Sequence, residues 1–110
     1  MSYLDLTTVA EKEIVPGYFA KFIHSENMTI VYWNIKAGSS LPAHSHPHEQ
    51  ISLVISGEFE LTVDAKPFLM KSDHSYSIPS GALHSGKAIT DCKIVDTFYP
   101  ARDDYKKISR

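Results

Sequence analysis

Apolar and polar residues alternate along most of this chain in short runs broken by Gly, Pro, Asn and Asp, without a convincing helical repeat. Tyr18 to His24 alternates well enough for a first strand. The stretch 27–36 (NMTIVYWNIK) is rich in β-branched and aromatic residues and predicts a stronger one. It is apolar on both faces: Met28, Ile30 and Tyr32 on one, Val31, Trp33 and Ile35 on the other. In so short a chain, that pattern predicts a second subunit covering the outer face, and hence a homodimer.

Strands are further predicted over 50–55 and 58–64, joined at Ser56-Gly57, and over 66–71 as the returning arm of a hairpin after Ala65. Ser72-Asp73-His74 reads as a turn, 75–78 as a short strand and Pro79-Ser80-Gly81 as another turn. Segments 82–88 and 91–99 supply the last two strands, Pro100 ends the sheet, and 101–110 forms a charged tail with one or two helical turns. The first fifteen residues mix charged and apolar groups and stop at the turn signal Pro16-Gly17. Short strands at regular spacing predict an all-β barrel or sandwich, a single domain over 1–110 with its barrel at about 18–100.

Bulk properties narrow the function. A chain of 110 residues that is 43% hydrophobic and 22% charged is an ordinary globular domain. The net charge of −2 supplies no basic field for nucleic acid. No apolar run has membrane-spanning length, and residues 1–15 lack the charged-then-apolar order of a signal peptide. The single Cys92 rules out an internal disulfide, and a cytoplasmic location is expected.

The chemistry concentrates in Gly38-Ser-Ser-Leu-Pro-Ala-His44-Ser-His46-Pro-His48-Glu49-Gln50 and, downstream, in Pro79-Ser-Gly81-Ala-Leu-His84. His44 and His46 are two apart and are expected on one side of an extended strand. Gln50 shares their parity, and His84 follows a turn. Three imidazoles and an amide oxygen aimed at one point make a site for a first-row divalent metal. Glu49 is the stronger ligand chemically but has the opposite parity unless a bulge intervenes, so parity favours Gln50. His24, His48 and His74 are expected to be surface or hydrogen-bonded structural residues.

Together these residues resemble the two motifs of the cupin family. Gly38, His44-x-His46, Gln50 and Gly57 are similar to the first motif, with Gln where most members carry Glu. Pro79-x-Gly81-x-x-His84 is similar to the second, with Asp73 in place of its opening Gly and Ala88 in place of its closing Asn. The resemblance covers roughly residues 20 to 100 and implies a double-stranded β-helix (jelly-roll) barrel with the metal near its mouth. A shell without a carboxylate lacks the two-His-one-carboxylate triad of many non-haem iron oxygenases, and its neutrality suits Lewis-acid chemistry.

The last strand sorts Cys92, Ile94, Asp96 and Phe98 onto one face, so Asp96 stands in an apolar row. Such a carboxylate is either a hydrogen-bonded structural group or an acid/base with its pKa raised by burial. Arg102 follows at the strand's exit, where a guanidinium can clamp a carboxylate or end as an exposed tail cation. Taken with the histidine motif, Asp96-x-Phe98-x-Pro100-x-Arg102 resembles the small cupins of uronate catabolism, the KdgF type.

That resemblance implies a divalent metal (Ni, Zn, Mn, Fe or Co) on His44, His46, Gln50 and His84, with Asp96, Phe98 and Arg102 lining the active site. It also implies conversion of the 4,5-unsaturated monouronates left by pectin or alginate lyases into linear 5-keto-4-deoxyuronate. The competing expectations are a different cupin metalloenzyme, an oxygenase or sugar isomerase, and a non-catalytic module binding a small ligand.

Overall fold

The structure, a computed structural model, describes residues 3–108. The last two residues of the predicted tail, 109 and 110, lie outside them. After a 3₁₀ turn at Leu6–Thr8 come ten strands: β1 (Lys12–Val15), β2 (Tyr18–His24), β3 (Thr29–Ile35), β4 (Ser40–His44), β5 (Glu49–Ser56), β6 (Phe59–Val63), β7 (Lys66–Met70), β8 (Ser75–Ile78), β9 (His84–Ala88) and β10 (Cys92–Tyr99). A short helix, α1 (Asp103–Ile108), ends the described chain.

All pairings are antiparallel. One sheet runs β1-β2-β3-β10-β5-β8 and the other β4-β9-β6-β7. From β3 onward the chain passes back and forth between the sheets, staying within one only for the β6–β7 hairpin, which gives the double-stranded β-helix. The core lies between the sheets and is built from alternate residues, among them Val31, Trp33, Ile35, Val54, Phe59, Leu61, Val63, Ile94 and Phe98. In β10 the burial alternates strictly over Cys92, Ile94, Asp96 and Phe98, as its sequence parity predicts.

Two segments depart from the sequence pattern. Residues 12–15 form an edge strand that the pattern did not announce, because β1 is half exposed and carries a register shift between Glu13 and Val15. β4 ends at His44, so His46 is not on the same strand but in the irregular connection that crosses to β5. The break follows from chemistry: Pro47 cannot donate to a ladder, and the connection must turn from one sheet to the other.

The outer face of β3 is half-buried within the single chain, since β2 and β10 flank it. The apolar surface continues along the register rows Ile30–Thr97–Ile51 and Tyr32–Val95–Leu53. It becomes most exposed on β5, at Ile51, Leu53 and Ile55. Met28, expected on this face, lies before the strand and is exposed.

Turns follow from backbone freedom. Asp73 has φ 69°, so the residue standing where the second motif carries Gly takes the glycine-like conformation itself. The two-residue loop between β6 and β7 puts Asp64 at φ 48° and Ala65 at φ 67°, the pair of positive angles of a type I′ hairpin. Asp tolerates this conformation; Ala does not. Ala65→Gly is therefore expected to raise unfolding free energy by roughly 0.5–1 kcal/mol, net of the glycine's greater unfolded-state entropy, as read from urea midpoints at unchanged m-value.

Candidate metal centre

Three elements bring the imidazoles together. His44 and His84 are direct register partners across β4 and β9, with ring centroids 4.3 Å apart. His46 arrives on the connection between the sheets, held where Gly81 N–H donates to its carbonyl (2.9 Å) and Ser80 Oγ donates to the carbonyl of Pro47 (2.6 Å). One candidate ligand atom from each ring lies within 4.8 Å of the others. Gln50 comes from the opposite sheet: β5 points it inward, 6% exposed, while Glu49 points out to solvent.

Each ring is held by a carbonyl oxygen near its Nδ1: Pro42 for His44 (2.9 Å), His48 for His46 (3.0 Å) and Ala82 for His84 (2.9 Å). A carbonyl only accepts, so each Nδ1 carries the proton and each Nε2 presents a bare lone pair. This backbone orientation is what metal-binding imidazoles require of their surroundings. Burial, reinforced by the charge of Arg102, pushes His46 down to about 4. Burial also lowers His84. Both rings are thus neutral near pH 7.

Nε2 of His46 stands 3.0 Å from Oε1 of Gln50, whose Nε2 donates to Ser52 Oγ (3.1 Å). Two acceptors facing each other at that distance are favourable when a cation lies in front of both. The donor set of three imidazoles and an amide oxygen therefore fits a divalent first-row ion.

Behind Gln50 the polar chain continues. Ser52 Oγ donates to Asp96 Oδ1 (2.5 Å) and the Trp33 indole N–H donates to Asp96 Oδ2 (2.9 Å). The register dictates the contact: Asp96 pairs with Ser52, and Phe98 with Gln50, on β10 and β5. Burial raises the Asp96 pKa above the usual carboxylate range against the pull of the hydrogen bonds from Ser52, Trp33 and Gln50.

Arg102 leaves β10 with its N–H donating to Thr29 Oγ1 (2.9 Å) and turns back over the site. Its guanidinium lies 4.8 Å from the Phe98 ring centroid and 4.1 Å from that of Tyr105, and forks onto Asp104 at 3.0 and 2.8 Å. Burial opposes its charge, but the fork to Asp104 outweighs that and holds the guanidinium protonated. Only 11% of its side chain is exposed, so it is not a solvated tail cation. Phe98, 2% exposed, sets its ring 5.6 Å from that of His46.

All seven sequence-predicted site residues line one cavity that opens to solvent. The sequence reading did not single out Trp33, Ser52 or Tyr105 as site residues, and they line it too. Ser52 and Trp33 are legible by inward parity, but nothing in the pattern pairs them with Asp96. Of the remaining histidines, His24 Nδ1 lies 3.0 Å from Thr29 Oγ1 and His74 Nδ1 accepts from Lys71 N–H (3.0 Å); the His48 carbonyl orients His46, while the His48 ring Nδ1 is buried without a hydrogen-bond partner among the described residues.

The cupin domain family model matches residues 31–98, more than half of the chain. The chain belongs to the cupin family. This cupin is similar to the pectin degradation protein KdgF of Dickeya dadantii, 26% identical over 97 residues that cover 86% of this chain and 88% of that protein. It is also similar to the H2HPP isomerase of Bacillus subtilis, 26% identical over 90% of this chain but only 43% of that longer protein. Among solved structures, KdgF from Halomonas sp. superposes with a TM-score of 0.90 at 24% identity, covering 96% of this chain and 98% of that one, which shows a shared fold. Among the described residues no helix is long and apolar enough to cross a membrane.

The low pKa of His46 has a measurable sign. The unfolded chain takes up a proton at this residue near pH 6.5, whereas the folded, metal-free chain resists until about pH 4. Full stability is therefore present above pH 6.5 and is lost progressively as pH falls from there towards 4. Thermal melts of metal-free protein across this range are expected to slope downward with falling pH, and His46→Asn is expected to flatten part of that slope.

Proposed function

We propose that this cupin is a metal-dependent isomerase of 4,5-unsaturated monouronates, yielding the linear 5-keto-4-deoxyuronate. The observation that supports this best is the placement of a buried carboxyl group and a half-buried guanidinium in one cavity with the imidazole cluster. His44, His46, His84 and Gln50 would hold the metal, which would supply polarisation of the substrate's oxygens.

The reaction is an internal rearrangement in which atoms balance. The bond between the anomeric carbon and the ring oxygen breaks, the anomeric hydroxyl proton departs, C4 gains a proton, and C5 becomes a ketone. Asp96 carries that proton: burial raises its pKa towards the working range, and the hydrogen bonds from Trp33 and Ser52 fix its two oxygens. Arg102 grips the uronate carboxylate, with Phe98 and Tyr105 packed on its faces and Asp104 holding one edge of its fork. Phe98 forms part of the wall beside the sugar ring.

The floor of the cavity favours a second reading. Tyr18, Trp33, Ile35, Val54, Met70 and Ile94 make it apolar, which suits isomerisation of a less hydroxylated cyclic carboxylate.

The deciding experiment mixes metal-loaded protein with lyase-generated unsaturated galacturonate or mannuronate and follows loss of the ultraviolet absorbance of the enol-ether carboxylate. Rapid loss, abolished by chelator, is expected; inertness of metal-loaded protein would sink the uronate reading and leave the second. Asp96→Asn is expected to cut turnover by ~10²–10⁴-fold with the fold retained.

The working form is a homodimer packed on the outer face of the six-stranded sheet, where Ile51, Leu53 and Ile55 are exposed beside Tyr32 and Val95. Sedimentation at micromolar concentration is expected to give a dimer, and Leu53→Lys a monomer that keeps its metal.

A further inference from the structure

We propose that Ser52 is the residue that positions the fourth metal ligand: through its hydroxyl, Asp96 dictates which end of the Gln50 carboxamide faces the imidazoles. This rests on the metal-site reading above but not on the identity of the substrate.

The argument is one of donor and acceptor counts. The Trp33 indole nitrogen can only donate, so Asp96 Oδ2, 2.9 Å away, accepts. Ser52 has one proton, and its Oγ lies 2.5 Å from Asp96 Oδ1, the length of a charge-assisted O–H···O⁻ bond. With that proton committed to Asp96, Ser52 has only lone pairs left for Gln50. The amide must therefore offer Ser52 its N–H (3.1 Å), which turns Oε1 towards His46 Nε2. An amide is symmetric in shape and differs only in chemistry at its two ends, so packing alone does not choose between them; the serine, with Asp96 behind it, does.

All members of this chain are removed from bulk water: Gln50 is 6%, Ser52 7%, Trp33 6% and Asp96 9% exposed. In Ser52→Ala, the nearest acceptor left for the amide N–H is Asp96 itself. With the serine gone, the amide N–H leans on Asp96 alone and Oε1 is held less firmly towards the imidazoles.

The test is calorimetric titration of metal-stripped protein with Ni²⁺ or Zn²⁺ alone, independent of any substrate. Ser52→Ala is expected to weaken metal binding by about 10–100-fold, the usual effect of losing a group that orients a ligand, while the metal-free protein melts as a cooperative unit. Ser52→Thr, which keeps the hydroxyl, is expected to stay within about threefold of the parent, and Ser52→Val, its isostere without one, to fall with Ser52→Ala. The Thr and Val pair decides the matter if the alanine variant fails to fold.

A cycle with Gln50→Ala identifies the route of action. If Ser52 works through Gln50, adding Ser52→Ala to Gln50→Ala costs nothing further. Full additivity, or a Ser52→Val affinity within twofold of the parent, would overturn the positioning role while leaving the metal site intact. A parent chain that binds neither ion would remove the metal reading and this inference together.

Discussion

A carboxyl group placed inside a small barrel must be given partners or be expelled, and the interior of this protein is arranged around that requirement. Asp96 sits on β10 in a row otherwise made of Cys92, Ile94 and Phe98. Its two oxygens are met by an indole from β3 and a hydroxyl from β5, the two strands that flank β10 in the sheet. A one-residue slip of either pairing would turn every inward group outward, so the register that buries the hydrophobic core also assembles the polar one. The two cannot be separated. Position 50 reflects the same constraint, since a second carboxyl group there would share one serine proton with Asp96 and offer no N–H in return.

The second arrangement of consequence is the division of labour between rigid strands and the crossing connection. His44 and His84 are fixed by a ladder, whereas His46 depends on hydrogen bonds from Gly81 and Ser80 to the connection that carries it. Carbonyls at Pro42, His48 and Ala82 then set every imidazole in one tautomer. Backbone geometry, not neighbouring side chains, does most of the orienting here. The guanidinium of Arg102 is held differently, between two aromatic faces and a carboxylate from the helix that follows it.

The strands with strong alternation were readable before any coordinates: β10 from its parity, β6 and β7 from the hairpin at Asp64 and Ala65, and β3 from its β-branched and aromatic content. β1 was not, because a short, half-exposed edge strand has little hydrophobic contrast to betray it. Parity placed Gln50 inside and Glu49 outside. It misplaced His46, because period-two reasoning assumes an unbroken strand and Pro47 lies within the connection. The spacing of His44, His46 and His84 foretold a cluster, but the link from Trp33 through Asp96 and Ser52 to Gln50 depends on which strands become neighbours. Cross-strand pairing between residues 44 positions apart leaves no local trace in a sequence.

The four candidate ligands are distributed so that none of the main structural units owns the site. His44 and His84 belong to one sheet, Gln50 to the other, and His46 to the strap between them. An ion held by all four is therefore a rivet through both walls of the sandwich at its open end. Opening of that rim would then have to break the ion's coordination, so loss of the ion and separation of the two walls would be coupled.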